Sequence, residues 1–184
     1  QLVYTHMEQK RVIYERKAPS FTVHDLPKSY KNAKLFYVCP MDFEVPVEMV
    51  KELATLGRPI FVDLGGYGGA TSSSHQCGES SELQQLKPIL ESASVIKASF
   101  EDCGLILGKP DTKAPAAETA FAEKLVKLGA EKVVITLGSQ GVYLHDHSGG
   151  SYFPPFYCEA VDTTGAGDTF CAGLIHEYIR SHDM

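Results

Sequence analysis

Between Leu35 and Thr136 the chain alternates short runs of β-branched and aromatic residues with longer stretches of helical period, and this alternation most restricts the fold. Leu35-Phe36-Tyr37-Val38 reads as a buried strand that Cys39-Pro40 stops. Val45 to Leu56 places apolar side chains at 45, 49, 50, 53 and 56, which is helical spacing, and Gly57 ends that helix. Ile60 to Leu64 is the next strand. Strand, helix and strand at this length form a βαβ unit, so the two strands are expected to be parallel and adjacent. Leu83, Leu86, Ile89 and Leu90 mark another helix, which Pro88 is expected to kink or shorten. Ala93 to Ala98 is a third strand, and Phe100 to Leu107 a short helix before the turn at Gly108 to Asp111. Ala116 to Leu128, closed by Gly129, is the clearest helix. Lys132 to Thr136 and Val142 to His145 are the fourth and fifth strands. Tyr152 to Val161 is β-like, with prolines interrupting it. Upstream, Gln1 to Thr5 and Arg11 to Glu15 suggest a hairpin, and Ser20 to Lys34 a loop or short helical turn. The pattern predicts an α/β domain with a mostly parallel sheet. Ligands of such sheets bind beyond the carboxyl ends of the strands. Asp63, Ser99 and Thr136 fall at or just past such ends.

The second constraint is Asp162-Thr163-Thr164-Gly165-Ala166-Gly167-Asp168-Thr169-Phe170. Thr169 to Arg180 reads as a helix with Phe170, Leu174, Ile175 and Tyr178 on one stripe. A glycine-rich turn that opens a helix leaves several amides pointing one way at the positive end of the dipole, which suits an anion. Asp168 repels a resting phosphate, so it needs a reason to be there. One is general-base work: it takes the proton of an alcohol while the amides hold the phosphoryl group under attack. The other is simple complementation of the helix dipole.

DTTGAGDTFCAGL, from Asp162 to Leu174, resembles the C-terminal signature of the PfkB/ribokinase family of carbohydrate kinases. The resemblance implies a ribokinase-like three-layer α/β/α fold and ATP-dependent transfer of the γ-phosphoryl group to an alcohol of a sugar or nucleoside. It implies Asp168 as catalytic base and the amides of Gly165, Ala166 and Gly167 as the anion hole. The positions of Asp162 and Thr164 help bind a monovalent cation such as K⁺ in many members. Val133 to Tyr143, VVITLGSQGVY, has two glycines after a strand and reads by itself as a hairpin turn. It also resembles the family's nucleotide loop, which implies Thr136, Gly138, Ser139 and Gly141 along the ATP phosphates and ribose. Ser99-Phe100-Glu101-Asp102 stands where the family usually has Asn-x-x-Glu, a segment that organises Mg²⁺ through water and contacts the phosphates. Asp102 keeps a hard oxygen ligand and Glu101 is a second acid, while Ser99 keeps one hydroxyl. Residue by residue, the same stretch reads as a helix start: Ser99 as N-cap, with both acids in the first turn.

Composition limits the alternatives. The 184 residues fit one domain of ordinary size. A net charge of −6 argues against a general nucleic-acid surface. No apolar run is long enough to span a membrane, and the N-terminus lacks the core of a signal peptide. Five cysteines without a CxxC favour reduced thiols in a cytoplasmic protein. His145-Asp146-His147 lacks the further ligands that a closed metal site needs.

Two other readings stay open beside the kinase. A non-catalytic, nucleotide-binding relative or fragment fits the Ser99/Asp102 departure. Asp63-Leu64-Gly65-Gly66-Tyr67-Gly68-Gly69 resembles the first motif of an S-adenosylmethionine-dependent methyltransferase, which requires a helix directly after the glycines. The kinase family's opening Gly-Gly sugar-binding segment has no counterpart before Gln1, and its closing helices have none after Met184. The chain is therefore expected to be a central-to-C-terminal portion, with residues 1–34 part of a lid or sheet-edge segment. An exposed sheet edge would then be covered by further chain or by a partner, and a homodimer is left open.

Overall fold

The computed structural model describes residues 2–5, 9–74, 80–109 and 116–181. Residues 75–79 of the glycine- and serine-rich loop, and the end of the turn after Lys109, lie outside them. The strands are β1 (Leu2–Thr5), β2 (Gln9–Val12), β3 (Phe36–Val38), β4 (Ile60–Asp63), β5 (Val95–Ser99), β6 (Val133–Thr136), β7 (Val142–Asp146) and β8 (Gly149–Phe153). The helices are α1 (Val47–Ala54), α2 (Ser80–Ser92), α3 (Phe100–Leu107), α4 (Ala116–Lys127) and α5 (Ala166–Ser181). β1 and β2 form an antiparallel hairpin by themselves. The other six strands form one sheet in sequence order. β3 to β6 are parallel, as the βαβ alternation requires, and β7 and β8 are added antiparallel.

Strand residues alternate between the two faces of this sheet. Phe36, Val38, Ile60, Val62, Ile96, Ala98, Val133 and Ile135 pack with the apolar sides of α1 to α4. Phe61, Val95 and Val134 pack on the opposite side against Phe170, Leu174, Ile175 and Tyr178, the stripe of α5. Phe61 and Tyr178 meet edge to face, 5.0 Å between ring centres. The result is three layers, with four helices on one face and α5 on the other. Strands covered on both sides carry nearly continuous apolar runs, and β4 is buried at every residue.

Two expectations are corrected. α2 runs unbroken through Pro88. The proline removes one helical hydrogen bond at a cost of about 3 kcal/mol, yet Leu86, Ile89 and Leu90 on the same helix are almost completely buried. Ser92 Oγ donates to the Pro88 carbonyl at 2.7 Å. Core packing outweighs the local penalty. The last strand is Gly149–Phe153 rather than 152–161. Pro154 and Pro155 cannot donate to a ladder and end it. Residues 154–161 are irregular and exposed, with Phe156 98%, Tyr157 99% and Val161 98% accessible.

The turn after β3 locks onto the loop after β4. Phe43 N donates to the Gly66 carbonyl at 2.9 Å, and a side chain on Gly66 would run into the Pro40 backbone. Tyr14 reaches the carbonyls of Met41 at 3.0 Å and Thr71 at 2.7 Å. Lys17 pairs with the buried carboxylate of Asp42 at 2.6 Å. Burial pushes the Asp42 carboxyl up, but Lys17 and the Ser73 amide and hydroxyl outweigh it and hold it below the usual range.

Candidate active site

The parallel register sets the site's floor. Asp63 on β4 lies beside Lys97 on β5, and Ser99 at the end of β5 lies beside Thr136 at the end of β6. Cys39 follows the last residue of β3. These residues line the carboxyl edge of the parallel strands, and the first turn of α5 comes down on it. Cys39 Sγ lies 4.0 Å from Asp168 Oδ1, and a Cβ built on Gly167 would lie 3.4 Å from Lys97 Nζ.

Asp162 Oδ1 accepts from Thr164 N at 2.8 Å, which shapes the turn before α5 and lowers the Asp162 carboxyl. Gly165 has φ +76, a conformation that glycine adopts without penalty. Its Cα side is open, with nothing among the described residues within 4 Å of a built Cβ. Ala166 N donates to the Thr163 carbonyl at 3.1 Å, and Thr169 N to that of Gly165 at 2.9 Å. The helix therefore begins at Ala166, between the two glycines and three residues ahead of the expected Thr169, and Asp168 stands exposed in its first turn. Asp162 and Thr164 bond to each other on the exposed side of this turn.

Beneath the turn, Lys97 Nζ donates to Asp63 Oδ2 at 2.8 Å, and both side chains are about nine-tenths buried. Asp63 Oδ1 accepts from Gly65 N at 3.0 Å, so the carboxylate is held at both oxygens. Burial lowers the Lys97 pKa, but the Asp63 charge and hydrogen bond outweigh it and hold the ammonium above its ordinary value. Partial burial, with the Asp63 and Asp168 charges, pushes the Cys39 thiol up to about 11, against a lowering contact with Tyr37. The Tyr37 hydroxyl is buried with no partner in hydrogen-bond geometry. The Cys171 and Cys39 thiols flank it, and burial raises it well above the ordinary tyrosine value.

Ser99, Glu101 and Asp102 form the helix start that residue chemistry alone suggests. Ser99 Oγ accepts from Asp102 N at 3.0 Å, and Asp102 Oδ2 accepts from Ser99 N at 2.7 Å, a reciprocal capping box. Asp102 Oδ1 accepts from Ala70 N at 2.8 Å, tying α3 to the glycine loop. Asp102 is buried, whereas Glu101 faces solvent. Thr136 leads into a 3₁₀ turn at Gly138–Gln140, which joins the antiparallel β6 and β7. Gly138 and Gly141 have φ +58 and +103. Gly138 and Ser139 are exposed, while Gly141 is buried against the Phe153 backbone. Of the four expected nucleotide residues, the hairpin thus carries Gly138 and Ser139 outward, leaves Thr136 half-buried at the strand end and uses Gly141 for packing.

The structure therefore brings Asp168 and Gly167 together with Cys39, Asp63 and Lys97, and sets Ser99 beside Thr136. Lys97 belongs to no sequence motif. The one signal was a charge inside the β-rich run Val95-Ile96-Lys97-Ala98-Ser99. His145 and His147 join no metal cluster; among the described residues no group of three or more His, Cys, Asp or Glu could hold an ion. Instead Asp146 accepts from Ser148 N at 2.8 Å in the β7–β8 turn. The methyltransferase geometry is not met: after Asp63 come a 3₁₀ turn at Leu64–Gly66 and irregular chain to Ser74, not a helix.

A three-layer α/β fold with a glycine-opened helix and an acid over the sheet's carboxyl edge defines a class of phosphate-handling proteins. A sequence model described as pfkB family carbohydrate kinase matches residues 2–184, and the chain belongs to that family. It is 27% identical over 164 residues to a cytidine kinase of Thermococcus kodakarensis, covering 86% of this chain and 52% of that protein. It is 33% identical over 101 residues to an ATP-dependent 6-phosphofructokinase of Thermoanaerobacterium thermosaccharolyticum, covering 55% and 30%. Among solved structures, Arabidopsis thaliana ribokinase complexed with ribose and ATP superposes with TM-score 0.65 at 23% identity, over 82% of this chain and 45% of that one. A pyrophosphate-dependent kinase in the ribokinase family gives TM-score 0.71 at 17% identity, over 92% and 56%. The chain thus spans about half, or less, of the length of these relatives. No helix among the described residues is long and apolar enough to cross a membrane.

Proposed function

We propose that the protein is an ATP-dependent phosphotransferase whose acceptor is an alcohol of a sugar or nucleoside. The observation that supports this best is Asp168 in the first turn of α5, beside the open turn at Gly165 and over the carboxyl edge of the parallel strands. Asp168 takes the proton of the acceptor hydroxyl. The acceptor oxygen then bonds to the γ-phosphorus as the bond from that phosphorus to the β,γ-bridging oxygen breaks, and ADP leaves with the electron pair. Amides at Gly165 and Gly167 hold the phosphoryl oxygens as charge redistributes, whereas the Ala166 amide, expected to share this role, is engaged with the Thr163 carbonyl. Thr136, Gly138 and Ser139 would contact the donor's phosphates and ribose, and Gly141, buried against the Phe153 backbone, fixes the turn that carries them.

The residues present fit a Mg²⁺ ion that arrives with the phosphates. Mg²⁺ keeps several waters and takes one or two carboxylates. Glu101 is the exposed acid beside Ser99, whereas the oxygens of Asp102 are engaged with backbone amides. Such an ion would offset phosphate charge during transfer. Asp162 and Thr164 offer oxygens to a monovalent cation on the outer side of the turn.

The test is ADP release from Mg-ATP with a panel of pentoses, hexoses, nucleosides and sugar phosphates, run beside Asp168→Asn. Acceptor-dependent turnover that drops by about 10²–10⁴-fold in the variant is expected. Turnover indifferent to Asp168→Asn removes the assignment of the base. ATP binding with no turnover on any acceptor favours a non-catalytic relative.

A further inference from the structure

We propose that Lys97 is a phosphate-contacting residue, its ammonium fixed by Asp63 from below and directed through the first turn of α5 at the terminal phosphoryl group of the donor. This rests on the phosphotransferase reading and adds to that site a residue outside the Gly165–Asp168 turn, the Thr136–Gly141 loop and the 99–102 segment. Lys97 interrupts the face of the sheet that Phe61, Val95 and Val134 otherwise line with carbon. Its side chain is only 10% exposed. One ammonium proton goes to Asp63 Oδ2, and among the described residues Nζ makes no second hydrogen bond. Asp63 cannot swing away, because its other oxygen holds the Gly65 amide. The ammonium lies beside Gly167, where a built Cβ would sit 3.4 Å from Nζ, so the glycine lets the first turn of α5 come close to it, next to the open turn at Gly165.

An ion pair is a poor device for merely joining β4 to β5. Replacing a buried pair by apolar residues is often neutral or stabilising, and a buried ammonium with spare donors is costly. The positive end of α5 raises that cost further. An anion docked on the helix amides reverses both effects, because it takes the spare donors and supplies the missing charge. Asp63 balances Lys97 when no anion is bound, and its nearness keeps the ammonium protonated.

The full chain is titrated with MgATP and with MgADP, and kcat and KM are measured beside Asp168→Asn. Lys97→Met leaves Asp63 buried and unpaired, so Lys97→Met/Asp63→Asn is tested with it; the double variant removes both charges and keeps an oxygen for the Gly65 amide. The double variant is expected to fold, to bind MgADP like the wild type and to lose about 10- to 100-fold in MgATP affinity, the range for a charge-assisted hydrogen bond. Its kcat is expected to fall with the acceptor KM unchanged. Wild-type turnover that depends on Asp168, together with an intact preference for ATP over ADP in the double variant, overturns the Lys97 assignment and leaves the phosphotransferase reading standing. A wild type without turnover, whose preference for ATP over ADP still needs Lys97, keeps the phosphate contact and sinks the phosphotransferase reading. Failure of the wild type to bind either nucleotide overturns both.

Discussion

Replacing Asp102 by alanine separates a bracing role from a metal role. The carboxylate accepts from Ala70 N at 2.8 Å and from Ser99 N at 2.7 Å, in a side chain buried beneath the glycine loop. Each amide left without an acceptor costs about 1–3 kcal/mol. Both amides are partly buried, so water can replace some of the lost bonding, and the two together cost about 2–4 kcal/mol. The Asp102 charge also helps hold the Lys97 ammonium charged, and relief of a buried carboxylate partly cancels that loss. For a chain of this size the loss lowers the melting temperature by about 5–15 °C. The assay is urea unfolding with EDTA present, so that no divalent ion contributes. Asp102→Asn keeps one acceptor oxygen and is expected to lose about half as much. A loss below about 1 kcal/mol for Asp102→Ala in EDTA, or a loss seen only with Mg²⁺, refutes the bracing argument.

Gly66→Ala puts a methyl group into the Pro40 backbone, which has no flexible end to yield, and an overpacking loss of about 1–3 kcal/mol is expected in the same unfolding assay. Asp42 has a depressed folded-state pKa, so the stability it contributes is present above the unfolded value of about 4 and is lost as pH falls through the folded value. Asp42→Asn is therefore expected to lower stability at pH 7 and to flatten the acid limb below about pH 4; an unchanged limb would contradict the Lys17 pairing. Cys39, with its thiol raised to about 11, should alkylate slowly at pH 8 in timed iodoacetamide labelling read by mass spectrometry. Asp168→Asn should speed that labelling, because it removes one of the charges that raise the thiol.

The alternation of β-rich and helical segments was legible because each strand and helix of the βαβ run carries its own period. Gly57 and Gly129 mark helix ends that the backbone closes with φ +64 and +118. The apolar stripe of α5 was equally plain, since its spacing already specifies a buried side. Sequence pattern and structure part where local chemistry and packing disagree. Pro88 weakens a helix in isolation, but α2 is held by Ile89 and Leu90 in the core. The ladder of β8 depends on pairing with β7, and no property of residues 149–153 alone declares that partner.

The sequence by itself determined the order of elements, the glycine-opened helix start and the acid within it, because these depend on neighbours along the chain. Tertiary structure decided which charges share a site. Lys97 and Asp63 are 34 residues apart and meet only through the register of β5 on β4. Cys39 and Asp168 are 129 apart and meet only because α5 covers the face opposite the other four helices. Asp102 shows the same division: its place at the start of α3 follows from the sequence, whereas its bond to Ala70 requires the glycine loop to fold over it. Strand register and layer packing are long-range choices, fixed by burying every apolar face at once.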